Sequence, residues 1–186
     1  MIRTFTTAGF MGVIMLASMY LSGCATAPRT EVERERLADN AQTAIREFTE
    51  KDPGMTELFD NAYGYAIFPN VGRGGAGVGG AYGRGVVYER GRMIGYCDLS
   101  QGDIGFQFGG QAYRQVIFFK DERALNRFTR GQLAFAAQAS AVAATAGASA
   151  DADFSDGVLV FTQTRGGLMY EATIGGQNFS FEPVDR

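Results

Sequence analysis

Between residues 31 and 51 the apolar positions Leu37, Ala41, Ala44, Ile45 and Phe48 recur at helical spacing, while Glu33, Arg34, Arg36, Arg46 and Glu47 fill the rest. That pattern predicts an amphipathic helix. Asp52-Pro53-Gly54 ends it, since proline does not continue a helix and glycine permits the turn, and a shorter helical piece around 55–62 follows. From Tyr65 the period changes to two. The short runs "YAIF", "VGRGGAGVGGAYGRGVVY", "VVYER", "RMIGYCDL", "IGFQFG" and "YRQVIFF" read as strands punctuated by glycine, with Glu89-Arg90-Gly91-Arg92 as a tight hairpin. Asp121 offers an N-cap for a helix through Arg130, ended by Gly131, with Leu125 and Phe128 on its buried side. Residues 133–152 are nearly all Ala, Ser, Thr and Gly, a composition that fits either a small-residue helix or a loop. "GVLVFTQT", "GLMYEATI" and "QNFSFEP" close the chain as three further strands. The expected fold is α+β: a compact, glycine-rich antiparallel sheet or small barrel packed with the N-terminal helix and the mid-chain helix.

Residues 71–88 contain the string Gly72-Arg73-Gly74-Gly75-Ala76-Gly77, which scans as GxGxxG. A dinucleotide loop sits between a strand and a helix, whereas Val86, Val87 and Tyr88 propagate a strand, and the chain has no Gly-Lys pair for a Walker loop. A linker would be polar and serine-rich, and this segment is neither. Taken as one strand, it places Gly75, Gly77, Gly79, Ala81, Gly83 and Gly85 on one face and Val78, Tyr82, Arg84, Val86 and Tyr88 on the other. Glycine within a strand weakens it, so a bare face implies close approach by a helix, a tightly coiled neighbouring strand or an acyl chain.

The first residues have a different character. Arg3 is followed by an apolar run from Phe10 to Leu21 that ends in Leu21-Ser22-Gly23-Cys24, a bacterial lipobox. The expectation is a cleaved signal peptide at 1–23, a lipidated tether at 24–30 with palmitate or a similar acyl group on Cys24, and a single domain at 31–186. Ala25 is not the aspartate that retains such lipoproteins at the inner membrane, so the expected location is the cell envelope, at the periplasmic face of the outer membrane. With Cys24 acylated, Cys97 is left without a disulfide partner and reads as a buried small hydrophobe.

Composition excludes more than it proposes. The chain has no histidine, which removes Ser-His-Asp, Cys-His and His-zinc chemistry. Its net charge of −3 argues against nucleic acid as a partner. Asp151 to Gly157 resembles a calcium loop, but the glycine falls one position late and Thr162 stands where a bidentate Glu is needed. Asp98 and Asp103 are the right types for acid–base work but lack any companion motif. No cofactor, metal site or catalysis is expected. Lys120, Arg123, Arg127 and Arg130 fall three, four and three residues apart, a basic stripe suited to phosphate, with Arg73 and Arg84 as further candidates.

Three segments carry a family resemblance: "YGYAIFPNVGRGGAGVGGAYGRGVV", "DLSQGDIGFQFGGQAYRQVIFFKDERALNRFTRG" and "SDGVLVFTQTRGGLMYEATIGG". In order and spacing they resemble the SYLF domain over about residues 58–183. The resemblance implies binding of anionic lipid headgroups, here bacterial phospholipids, with a protein-interaction or scaffolding module as the alternative. The 31–51 stretch departs from the family's membrane-engaging helix, because Glu31, Glu33, Glu35, Glu47 and Glu50 are repelled by an anionic bilayer.

Overall fold

A computed structural model of the chain describes residues 30–76, 78–104, 109–133, 135, 140–165 and 172–184. The expected signal peptide and Cys24 lie outside the described residues. Helix α1 (Glu31–Lys51) starts where the Thr30 side chain accepts from the Glu33 N–H at 3.2 Å; acids in its first turn and Lys51 in its last complement the helix dipole. Ala41, Ala44 and Phe48 form its buried stripe. Asp52 ends it, and α2 (Met55–Asn61) follows the Pro53-Gly54 turn.

The strands are β1 (Gly64–Ala76), β2 (Val78–Glu89), β3 (Arg92–Ile104), β4 (Gly109–Phe119), β5 (Ser140–Ala143), β6 (Val158–Thr164), β7 (Ala172–Thr173) and β8 (Gln177–Pro183), with α3 (Glu122–Thr129) between β4 and β5. Their order in the sheet is β7-β5-β6-β4-β1-β2-β3-β8, antiparallel throughout except for β5 with β6.

One expectation is corrected here. Residues 71–88 are not a single strand: β1 and β2 pair antiparallel with Ala76 opposite Val78, so the stretch is a hairpin, and Gly77 lies outside the described residues. "YAIF" and "VVYE" are therefore the far ends of the two strands. Of "IGFQFG" only Ile104, the last residue of β3, and Gly109, the first of β4, are among the described residues, and most of "GLMYEATI" lies outside them. Residues 133–152, open between helix and loop, contain the short strand β5 and turns at 146–151. The register of β1 shifts against both neighbours between Ile67 and Val71. Pro69 sits in this bulge, where a central strand tolerates a residue without an N–H. Arg90 (φ 47°) and Gly91 (φ 76°) make the tight β2–β3 turn.

The two edge strands β7 and β8 are joined by residues 174–176 alone, so the sheet must curl until its ends nearly meet. The curl encloses one core, in which Phe68, Leu99, Tyr113, Ile117, Phe119 and Phe179 meet Phe128 of α3. A second core lies on the outer face, where α1 and α2 bring Phe48 and Met55 onto Tyr65, Ile67, Val86, Phe118 and Phe161. Gln101, Gln115 and Gln177 are buried; Gln115 and Gln177 exchange amide hydrogen bonds at 2.9 and 3.2 Å, tying β4 to β8 across the curl. Cys97 is free and buried, and burial pushes its thiol well above the ordinary range.

Of the glycine face, Ala81, Gly83 and Gly85 belong to one strand, β2, and are buried. A methyl group at Gly85 would lie 2.6 Å from the Ile67 carbonyl, 2.8 Å from the Phe68 ring and 2.9 Å from Cys97 Sγ; at Gly83 it would lie 2.8 Å from Val71. Neighbouring strands make the close approach there. Gly79 is half-buried, and the side positions of Gly75 and Gly77 lie outside the description.

Candidate functional site

Helix α3 presents the basic residues. The Asp121 carboxylate caps it by accepting from the Ala124 N–H at 2.9 Å, and Gly131 (φ 66°) ends it. Ala124, Leu125 and Phe128 are buried, which turns Arg123, Asn126 and Arg130 to solvent. Arg127 is half-buried and donates to both the carboxylate and the backbone carbonyl of Asp156, each at 2.5 Å. Hydrogen bonding from Arg127 and its charge hold the Asp156 carboxyl below the usual range. Together Asp121, Glu122, Arg123, Asn126, Arg127, Arg130 and Gln132 line a shallow groove of about 450 Å³.

The predicted stripe is therefore divided. Arg123, Arg127 and Arg130 share this groove, while Lys120 opens onto a second one of about 460 Å³, between α2 and the 149–154 segment. Arg127 is also less exposed than its spacing suggests, because Asp156 holds it; a charge reversal there would disturb the fold as well as the groove.

Arg73 and Arg84 do not join them, nor each other. Arg73 stands opposite Ala81 and so faces the inside of the curl, whereas Arg84 alternates to the outer face beside Tyr82. There Arg84 Nε donates to the Tyr82 hydroxyl at 3.3 Å, and Tyr82 and Ser180 donate to the Asp98 carboxylate at 3.0 and 3.1 Å. Burial raises the Asp98 carboxyl above the usual range, against these hydrogen bonds and the Arg84 charge. Asp98 thus serves a cross-strand polar cluster.

Spacing gave no sign of the role of Asp52. It is buried, and its carboxylate accepts from the Gly54 and Gly147 N–H groups at 3.2 Å each and from the Ser149 N–H at 2.7 Å. Burial alone would raise its pKa; the hydrogen bonds from Ser149, Gly147 and Gly54 outweigh it and hold the group below the usual range. Asp52 thereby fixes two walls of the second groove, at Gly54 and Ser149. Among the described residues no cluster of His, Cys, Asp and Glu could hold a metal ion. None of their helices is long and apolar enough to cross a membrane.

Residues 100–182 match the family model Ysc84, described as Las17-binding protein actin regulator. Over that stretch the chain is similar to the Ysc84/SYLF family. The matched region starts in β3 and takes in α3 and the 149–157 segment, which lines the second groove and holds Arg127 through Asp156, and it is narrower than the resemblance over residues 58–183. The chain is also 28% identical over 156 residues to Beta cell expansion factor A of Aeromonas veronii, which covers 82% of this chain and 59% of that relative. It thus spans about three fifths of the relative's length.

Proposed function

We propose that this SYLF-like domain is a non-catalytic binder of anionic phospholipid headgroups on a bacterial envelope membrane, with α3 as the contact surface. The observation that carries the proposal is the α3 groove, where Arg123 and Arg130 stand exposed beside an Arg127 already fixed by Asp156. Arginine meets phosphate through a planar fork of donors, and a fixed guanidinium loses less freedom on binding. Each basic residue near an anionic surface contributes on the order of 1 kcal/mol, over a Debye length of about 8 Å at physiological salt. Asp121 and Glu122 weaken this field, so two or three arginines give a weak, salt-sensitive contact rather than a tight one.

Stable attachment then needs a second signal. Acylation of Cys24 supplies it, which makes the protein a lipoprotein whose domain is held at the periplasmic face of the outer membrane. Full-length protein expressed in bacteria is expected to incorporate labelled palmitate and to partition into detergent, and Cys24→Ser to lose both. An unlabelled, freely soluble wild type would refute the anchor.

Headgroup binding is tested by vesicle flotation of the chain from Ala25 onward, which contains every described element. Vesicles containing phosphatidylglycerol are expected to carry the protein at low salt and release it as salt rises, whereas phosphatidylcholine vesicles do not carry it. Equal behaviour towards both vesicle types would refute the proposal.

A further inference from the structure

The second groove carries the argument beyond headgroups. We propose that it receives one acyl chain of an anionic phospholipid, with Lys120 meeting the phosphate at its rim. This rests on the lipid reading above and adds a place for the chain. At about 460 Å³ the groove falls within the range of small-molecule sites. Its apolar surface comes from Leu58 of α2, from Ala62 at the C-cap of that helix, and from Ala150 and Phe154. Leu58, Ala62 and Phe154 are each half-buried against the outer core, so their remaining apolar surface opens into the groove. Glu57, Asn61, Ser149 and Lys120 supply the polar part of the lining.

Charge selects an anion for the head. Lys120 is exposed and forms no ion pair among the described residues, and with Glu57 as the acid in the lining the groove by itself is neutral. Next door, Asp156 offsets Arg127 and Asp121 and Glu122 balance the other two arginines, but Arg123 and Arg130 stand exposed and in no ion pair among the described residues, so their guanidinium groups are open to an anion. Lys120 is followed directly by Asp121, at which the arginine groove begins. The segment 154–157 serves both grooves: Phe154 lines the apolar one, Asp156 holds Arg127 in the basic one, and the Gly157 carbonyl accepts from the Lys120 N–H at 2.9 Å. An amphiphile with one apolar chain and a phosphate fits this arrangement, the chain on Leu58 and Phe154 and the phosphate between Lys120 and Arg123.

The protein has no tryptophan, so a single introduced indole reports on the groove without background. In the chain from Ala25 onward, Phe154→Trp places it in the wall, and Val32→Trp, at an exposed position of α1, serves as the control. Each is titrated with lysophosphatidylglycerol carrying a dibrominated acyl chain, below its critical micelle concentration, and with the same chain on phosphocholine. Bromine in contact quenches the indole. Phe154→Trp is expected to lose at least half its emission with the glycerol probe, at several-fold lower concentration than with the choline probe, and Val32→Trp to be unaffected. Adding Lys120→Ala should weaken the glycerol probe about fivefold, the equivalent of one basic contact. Equal quenching of both tryptophans would mean unspecific adsorption and overturn the proposal. So would an unquenched Phe154→Trp: if that variant still floats with phosphatidylglycerol vesicles, headgroup binding stands and the acyl site falls; if it does not float, both fall.

Discussion

Gly85→Ala is expected to destabilise the domain by about 3 kcal/mol, the upper part of the range for overpacking a core. The added methyl would meet the Ile67 carbonyl oxygen at 2.6 Å, a backbone atom held in the β1–β2 ladder, as well as Phe68 and Cys97. None of the three can withdraw cheaply, since Ile67, Phe68 and Cys97 are all buried. For a chain of this size the loss corresponds to roughly 6–12 °C in Tm. Gly72→Ala and Gly102→Ala form the control, because a methyl at either position meets nothing within 4 Å. They should be neutral or slightly stabilising, as alanine restricts the unfolded chain more than glycine does. Thermal unfolding of the three variants checks this, and an equal Tm for all of them would mean that β2 does not curl tightly at Gly85.

Asp52→Ala should cost a similar amount, about 2–4 kcal/mol, because three backbone N–H groups lose a charged acceptor at a buried position. The effect depends on pH. The folded state holds the Asp52 carboxyl below its usual range, so its contribution is complete above the unfolded value of about 3.9 and is lost as pH falls through the lower folded value. Asp52→Asn keeps the shape and removes the titration. The Tm gap between wild type and Asp52→Asn is therefore expected to be widest above pH 5 and to narrow towards pH 2.5; a gap independent of pH would show that the charge is not what holds the 147–149 segment.

Much of this architecture was legible from periodicity and punctuation. The α1 stripe, the Asp121 cap, the Gly131 stop and the Arg90-Gly91 turn all follow from local rules, and each local signal agrees with the tertiary contacts. The hairpin at 71–88 was not legible, because a glycine run carries the same period-two pattern through a turn as along a strand. Register explains the glycines better than sequence does: Gly110, Gly74, Gly80 and Gly102 stand opposite one another across β4, β1, β2 and β3. The short strand β5 was hidden by its composition, since Ser140 to Ala143 has no alternation to read. At the site, Arg123, Arg127 and Arg130 follow helical spacing into one groove, whereas Lys120 lies beyond the cap in the other and nothing in the spacing signals Asp156. Asp52 escaped notice because two of its three partners lie 95 and 97 residues away in the chain.

The central claim is that α3 meets anionic headgroups through its exposed arginines. Its most direct test is flotation of wild type and the Arg123→Glu/Arg130→Glu double variant with phosphatidylglycerol vesicles across a salt series. Arg127 is left intact so that its pair with Asp156 is preserved. An unchanged Tm, a large loss of vesicle binding at low salt and a flattened salt dependence are expected of the variant; a stable variant that floats as wild type does would show that these arginines are not the contact.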